Sequence, residues 1–128
     1  MNDSTQDTRD HIGKVRARIQ SVCNRLLIRA VNHALSKLAE PEKSILDAKA
    51  GALADLRYGT PEYAAAIASV DMQPFLQHHY AVNDHHPEHY PNGIADMSLL
   101  SICEMLADWK AASERTKQGS IAASMEHN

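Results

Sequence analysis

The sequence lacks long apolar runs, an excess of basic residues and clusters of β-branched residues. No apolar run approaches the roughly 18–20 residues that span a bilayer, and the polar start MNDSTQDTRD argues against a signal peptide. The formal net charge is −3, and without a basic stretch we expect no extended nucleic-acid surface. Strand signals are missing as well, so the sequence predicts a helical protein outside the membrane.

Cysteine is also scarce, with two residues in the chain. Cys23 and Cys103 are isolated from each other and sit in apolar patterns of helical spacing. We therefore expect buried, reduced thiols and a cytoplasmic location. A disulfide between the two residues stays open as an alternative.

With 128 residues, 44% of them apolar and 23% charged, the chain has the length and balance of one globular domain. We predict an all-α fold, a compact bundle of about five to six helices over residues 1–128, with residues 1–7 and 117–128 as possible flexible tails. Apolar steps of three and four, together with cap and proline signals, predict the helices. Their expected ranges are 8–38 (either one helix or two with a kink), 41–57, 61–69, 72–84 and a last helix from Asp96 or Ser98 to Arg115.

The most unusual stretch is QHHYAVNDHHPEHYPNG, residues 77–93, which holds five of the eight histidines. These are His78, His79, His85, His86 and His89. Imidazole is the commonest protein metal ligand, and with nearby carboxylates it suits transition metals. Prolines make a continuous helix unfavourable beyond residue 84, so we expect a helix end with the first pair and a tight turn with the second. The two pairs would then converge on one pocket, whereas the alternative is a solvated histidine-rich loop.

Other candidate ligands lie on the first and last predicted helices. His11 and His33 are single histidines on a helix, which are more often structural, and they gain weight only together with the later cluster. Glu104 and Asp108 are four residues apart, so they share one face beside the apolar stripe of the last helix. Solvated surface acids are the alternative for this pair.

The order of these residues resembles the HD-domain metal-dependent phosphohydrolases, particularly cyclic-dinucleotide phosphodiesterases of the HD-GYP type. His11 resembles the early ligand of that family, and the segment 33–37, HALSK, matches its HDxGK motif in His33 and Lys37. The run HHY at 78–80, followed by PNGI at 91–94, resembles the histidine pair and its turn. The run DWKA at 108–111 resembles the segment of the final aspartate.

A closer resemblance covers nearly the whole chain. A family of small uncharacterised proteins, largely phage-encoded, is similar in four runs: SKLAEPEKS at 36–44, YGTPEY at 58–63, HHYAVNDHHPEH at 78–89 and EMLADWKAA at 104–112. This likeness is specific and brings little settled function. For a phage protein it implies the bacterial host cytoplasm and a role in countering host nucleotide signalling.

The resemblance implies an HD-like fold and hydrolysis of a nucleotide or a cyclic oligonucleotide. One or two divalent transition metals (Mn, Fe, Ni, Co or Zn) would be bound by ligands from the set His11, His33, His78, His79, His85, His86, His89 and Asp108. The resemblance favours His78 and His79 as the direct pair, whereas the density of ligands favours His85, His86 and His89, so the choice between these groups stays open. Glu88 or Glu104 would orient a ligand histidine from outside. The substrate, a phosphate-containing small molecule, would contact Lys37, Tyr80, Lys110 and Arg115, and a homodimer is compatible with this picture.

One departure from the HD pattern stands at Ala34, where those enzymes carry a metal-binding aspartate. The change is compatible with a natural, non-catalytic protein that sequesters a nucleotide. The otherwise intact motif around it slightly favours the other interpretation, a substitution that inactivates the enzyme and traps a ligand. A purely structural metal and an iron-dependent oxygenase stay open as further alternatives.

Overall fold

The computed structural model describes residues 1–115 and Met125. Within that part of the chain there are five α-helices and no β-strand, which confirms the all-α prediction. The helices are α1 (Thr5–Asn32), α2 (Glu42–Ala54), α3 (Pro61–Ile67), α4 (Gln73–Val82) and α5 (Leu99–Ser113). Short 3-10 turns occupy Leu35–Leu38, Val70–Met72, Pro87–His89 and Gly93–Asp96. The predicted tail at 117–128 lies outside the described residues, apart from Met125.

The chain divides into two units, Met1–His33 and Ala34–Asn128. The first unit consists essentially of α1, whose 28 residues include none that is buried. This helix begins at Thr5, three residues before the predicted start at residue 8, while the flexible tail at residues 1–7 stays a prediction. No helix in the described part of the chain combines the length and the apolar character that crossing a membrane requires.

The first helix ends earlier than its apolar periodicity predicted. α1 stops at Asn32, and Ala34 adopts the left-handed conformation with φ 49° and ψ 28°. The chain then continues as the 3-10 turn Leu35–Leu38. The alternative of one continuous helix through residue 38 is therefore wrong, and Lys37 lies on the 3-10 turn and not on α1.

Two side-chain caps set the start of α3 and of α5. The Thr60 hydroxyl accepts a hydrogen bond from the Tyr63 amide at 3.3 Å. The Ser98 hydroxyl accepts one from the Ser101 amide at 3.1 Å. Such caps satisfy amides that the helix itself leaves without a partner. Both starts agree with the cap signals in the sequence, and the second one fixes the rotation of α5 and of its acidic residues.

The core of the second unit is small and rich in methionine. Met97, Met105 and Trp109 form one buried cluster, against which Tyr90 and Ile102 pack. This cluster holds α5 against the turns that follow α4. Helix α4 itself is anchored by Phe75, with Met72 buried just before its start.

Both cysteines are free and exposed, so the prediction that they are buried is wrong. On α5 the apolar neighbour Ile102 turns toward the core, whereas Cys103 lies one residue further round the helix. A single residue advances the direction of a side chain by about 100° on an α-helix. An apolar pattern near a cysteine therefore does not place its thiol inside the protein.

The left-handed conformation of Ala34 predicts an unusual response to glycine. A residue with a Cβ atom pays about 1–2 kcal/mol in this conformation, so Ala34→Gly should raise the free energy of unfolding by about 0.5–1 kcal/mol after the entropy cost of glycine. The control is Ala48→Gly, in the exposed interior of α2, which should lower it by about 1 kcal/mol. Urea denaturation measures both. An equal loss in the two variants would contradict the strained conformation at residue 34.

Candidate metal centre

Three imidazole rings come together where α4 ends. The Nε2 atoms of His79 and His86 are 3.0 Å apart, and the ring centroids of His85 and His86 are 4.2 Å apart. One ring nitrogen from each of the three residues lies within 4.8 Å of the other two. His79 and His85 are buried, and His86 is half-buried. One member of the first histidine pair and both members of the second therefore form a cluster, here called the histidine cluster.

A reversal of the chain after α4 brings the second pair back onto the first. The side-chain amide of Asn83 donates to the His79 carbonyl at 2.8 Å and to the Ser36 hydroxyl at 2.9 Å. Residues 84–86 then form a turn, and Pro87 opens the next 3-10 segment. Asn83 thus ends the helix and also ties it to the 3-10 turn Leu35–Leu38.

A buried carboxylate supports the histidine cluster from outside. Glu42, in the first turn of α2, has no exposed surface. Its Oε1 atom lies 2.7 Å from Nδ1 of His78, and its Oε2 atom lies 2.9 Å from Nδ1 of His79. Because a carboxylate only accepts, the imidazoles donate through Nδ1. Nε2 of His79 then keeps its lone pair and faces His86, which is the arrangement that prepares histidine to bind a metal.

A second pair of carboxylates borders the cluster from α5. Nδ1 of His85 lies 3.2 Å from Oε1 of Glu104, and its Nε2 lies 3.6 Å from Oδ2 of Asp108. The two acids are four residues apart, so they project from one face of the helix. The imidazole of His85 is thus held between them with only 2% of its surface exposed.

The environment keeps the imidazoles of His79 and His86 neutral. Burial, together with His85 and His79 nearby, lowers the pKa of His86 to about 3. Burial and the charge of Lys37 also lower the pKa of His79, against the opposing effect of Glu42. Neutral imidazole is the form that coordinates metals, so no proton has to leave at neutral pH.

Glu42 itself is held ionised. Burial alone would raise its pKa, but hydrogen bonds from His78, Ser36 and His79 outweigh burial and lower it. A buried carboxylate with several donors is stable as the anion. Only a weak signal marks this residue in the sequence, namely its place as an acid in the first turn of a helix. Its histidine partners lie 36 and 37 residues further along the chain.

The donor set fits a divalent transition metal. Two nitrogen ligands at about 2.0–2.1 Å from one tetrahedral ion are about 3.3–3.4 Å apart, close to the 3.0 Å between His79 and His86. Three imidazoles with a carboxylate nearby are typical of Zn, Fe, Mn, Co and Ni sites. Asp108 supplies that carboxylate beside His85.

Other histidines named by the sequence have different surroundings. His78 is half-buried and contacts Glu42, so it lies behind the histidine cluster. His89 is exposed, and its Nδ1 atom contacts the Tyr80 carbonyl at 2.7 Å. His11 and His33 belong to the first unit, His11 exposed on α1 and His33 at its carboxyl end.

The remaining candidates for substrate contact are spread over the second unit. Lys110 pairs with Glu114 at 2.8 Å on the exposed side of α5. Tyr80 is half-buried, and burial and the charge of Glu88 raise its pKa to about 12. Glu88 itself is exposed and has no hydrogen bond to the histidine cluster among the described residues. Lys37 and Arg115 line a common cavity.

Fold and site together define an all-helical protein with a buried histidine–carboxylate cluster that suits a metal ion. Residues 1–128 match the family of unknown function DUF5662, and the protein belongs to that family. No curated protein and no solved structure shows a significant match to the chain.

Removing the carboxylate of Glu42 should lower the free energy of unfolding more than removing any other single carboxylate of α2. Glu42→Ala leaves the buried N–H group of His79 and the N–H group of the half-buried His78 without this acceptor, so the free energy of unfolding should fall by about 3 kcal/mol. The control is Glu40→Ala, since Glu40 is exposed and only bonds Ser44; it should cost less than about 0.5 kcal/mol. Chemical denaturation of the metal-free proteins measures both changes. A cost below 1 kcal/mol for Glu42→Ala would refute the buried network.

The lowered pKa of His86 predicts that the metal-free protein loses stability in mild acid. Between about pH 3 and pH 6.5 the unfolded chain binds a proton at His86 that the folded protein does not, so stability rises with pH in this window. The slope is up to about 1.4 kcal/mol per pH unit for one imidazole.

Denaturation curves between pH 5 and pH 6.5 test this slope, because the carboxylates add little there. His86→Asn should make the profile less steep, with His79 contributing the remaining slope, while His11→Asn, at an exposed position, should leave it unchanged. A profile that is flat in the unmodified protein would contradict the neutral, buried state of His86.

Proposed function

We propose that the protein is a metal-dependent phosphohydrolase, a phosphodiesterase that acts on a nucleotide or a cyclic oligonucleotide. One observation carries the proposal: the facing Nε2 atoms of His79 and His86, 3.0 Å apart, with the buried Glu42 behind His79. Carboxylate–imidazole pairs of this kind fix the tautomer of a metal ligand and raise its basicity. A solvated histidine loop would have neither the burial nor the carboxylate.

Some residues of the site would bind the ion, and others would orient its ligands. His79, His85 and His86 would bind it, with Asp108 as a fourth ligand or as a ligand of a second ion. Glu42 orients His79, and Glu104 orients His85 through their Nδ1 atoms. A bound divalent ion supplies an acidified water molecule and neutralises charge on phosphoryl oxygens.

Lys37 supports a phosphate-bearing substrate. Its positive charge contributes to lowering the pKa of both His79 and His86, so its ammonium group lies near the histidine cluster. Lysine binds phosphate as a point charge with several donors. Lys37 would hold a phosphoryl oxygen beside the ion and keep the phosphorus within reach of the attacking water.

The backbone at Ala34 is compatible with the aspartate that the HD resemblance expects. Aspartate is among the few residues that adopt the left-handed conformation with some ease, and Ala34 has this conformation. Ala34 also precedes Ser36 and Lys37 on the same turn. An Ala34→Asp protein would therefore carry a carboxylate on the turn that contacts the histidine cluster.

A second candidate function is a nucleotide-sequestering protein without turnover. The alanine at position 34 favours it, because the residue lacks the carboxylate of the HD enzymes. Metal binding by His11 and His33, a homodimer, a phage origin and a location in the host cytoplasm stay predictions that rest on the sequence. Substitution of His33 by alanine, followed by metal analysis, tests the most important of them.

Metal analysis of purified variants tests the proposal. We expect His79→Ala and His86→Ala to lower the affinity for Zn²⁺ or Mn²⁺ at least tenfold, because each removes a direct ligand. His89→Ala is the matched control, since His89 is exposed and bonds a carbonyl outside the cluster. Isothermal titration with each metal gives the affinities. If all three variants bind the metal as tightly as the unmodified protein does, the metal centre is refuted, and the hydrolase proposal is refuted with it.

Ala34→Asp then separates the two candidate functions. In the phosphohydrolase, the restored carboxylate should raise phosphodiesterase activity on a panel of linear and cyclic nucleotides. In the sequestering protein, the variant would bind metal and nucleotide yet stay inert. The assay follows product release by chromatography, with His86→Ala as the control for contaminating phosphatases.

A further inference from the structure

A cavity of about 440 Å³ in the second unit is lined mainly by residues of α2 and α3. One wall is the face of α2 that carries Leu46, Ala50 and Leu53, at the spacing of one helix side. The opposite wall comes from α3 and the turn before it, with Tyr58 and Tyr63. The two phenol rings meet edge to face, with centroids 5.2 Å apart and an angle of 65° between the planes.

Two cations complete the lining. Lys37 enters from the 3-10 turn after α1, and Arg115 enters from the end of α5. No carboxylate is among the described residues that line the cavity. Neither cation forms an ion pair with another residue of the described chain, whereas Lys43, Lys49 and Lys110 do. A cavity with apolar walls and two cations that have no ion pair within residues 1–115 favours an organic anion over a neutral or a cationic ligand.

The charges that line the cavity also act on residues of the histidine cluster. Lys37 acts on the pKa of His79 and His86 from its position in the lining. On the other side, the pKa of Tyr63 responds to both Arg115 and Asp108, although burial raises it most. The phenol of Tyr63 therefore lies within the reach of one cavity cation and of one carboxylate of the candidate metal centre.

The volume of the cavity limits the size of the ligand that it can hold. Small-molecule pockets range from roughly 300 to 1,000 Å³, and 440 Å³ is near the lower end. We propose that this cavity binds a phosphate monoester with a single ring system, such as a nucleoside monophosphate. Lys37 and Arg115 bind the phosphate, and Tyr58 and Tyr63 contact the ring. The inference rests on the proposed function, because a nucleoside monophosphate is the product that a phosphodiesterase releases, but its binding is measurable without turnover.

The test is isothermal titration of the full chain, treated with chelator to prevent hydrolysis. The probes are adenosine 5′-monophosphate, cytidine 5′-monophosphate, adenosine, inorganic phosphate and a cyclic dinucleotide. At least one monophosphate should bind ten times or more tightly than adenosine, phosphate and the cyclic dinucleotide. Phosphate binding as tight as that of both monophosphates would overturn the inference.

Four variants assign the contacts. Lys37→Gln and Arg115→Gln should each weaken monophosphate binding about tenfold, because each removes one cation from the phosphate. Tyr63→Phe should bind like the unmodified protein, while Tyr63→Ala should bind several-fold more weakly. Lys110→Gln is the matched control, since Lys110 is exposed and paired with Glu114. Thermal melts confirm that each variant is folded, and binding unaffected by both Lys37→Gln and Arg115→Gln would place the ligand elsewhere.

A metal-binding variant separates this inference from the proposed function. His86→Ala should lose metal affinity and keep its monophosphate binding, since His86 does not line the cavity. If metal binds normally and no monophosphate does, the cavity inference fails and the phosphohydrolase proposal stands. If the monophosphate binds and no metal does, the cavity inference stands and the phosphohydrolase proposal fails.

Discussion

The histidine cluster depends on the buried carboxylate of Glu42. Its two oxygens accept from His78 and His79, 36 and 37 residues further along the chain, and so tie the start of α2 to the last turns of α4. A charge without exposed surface is costly unless hydrogen bonds compensate it, and removing either partner leaves the other buried. The same contact that joins the helices therefore also fixes the tautomer of His79. Stability and ligand geometry are inseparable at this point of the fold.

Most of the helical architecture could be predicted from the sequence, because each signal is local. Thr60 and Ser98 cap their helices, and Pro61 stands in the first turn of α3. The end of α1 could not be predicted, since no glycine or proline marks it and the apolar spacing runs on to Leu38. Ala34 takes a left-handed conformation there that alanine rarely adopts on its own. Tertiary contacts have overridden local preference at this residue.

The candidate site was only partly predictable, because its members meet through tertiary structure. Composition alone pointed to the histidine stretch, and the four-residue spacing put Glu104 and Asp108 on one face. Nothing in the sequence distinguished His79 from His78 or excluded His89 from the cluster. The difference arises from the direction of each ring: His89 turns to the Tyr80 carbonyl, and His78 to Glu42. The role of Glu42 is of the same kind, since an acid in a first helical turn is ordinarily solvated.

The methionine content of the core has a consequence for the protein under oxidising conditions. Met97 and Met105 pack on Trp109, the residue next to Asp108. Conversion of a thioether to a sulfoxide makes a flexible apolar side chain polar, and it disrupts packing wherever it occurs in a core. A redox-active ion at the histidine cluster would generate oxidants within the same small unit. A metal centre close to a methionine-rich core is therefore more compatible with a redox-inert metal or with a reducing compartment.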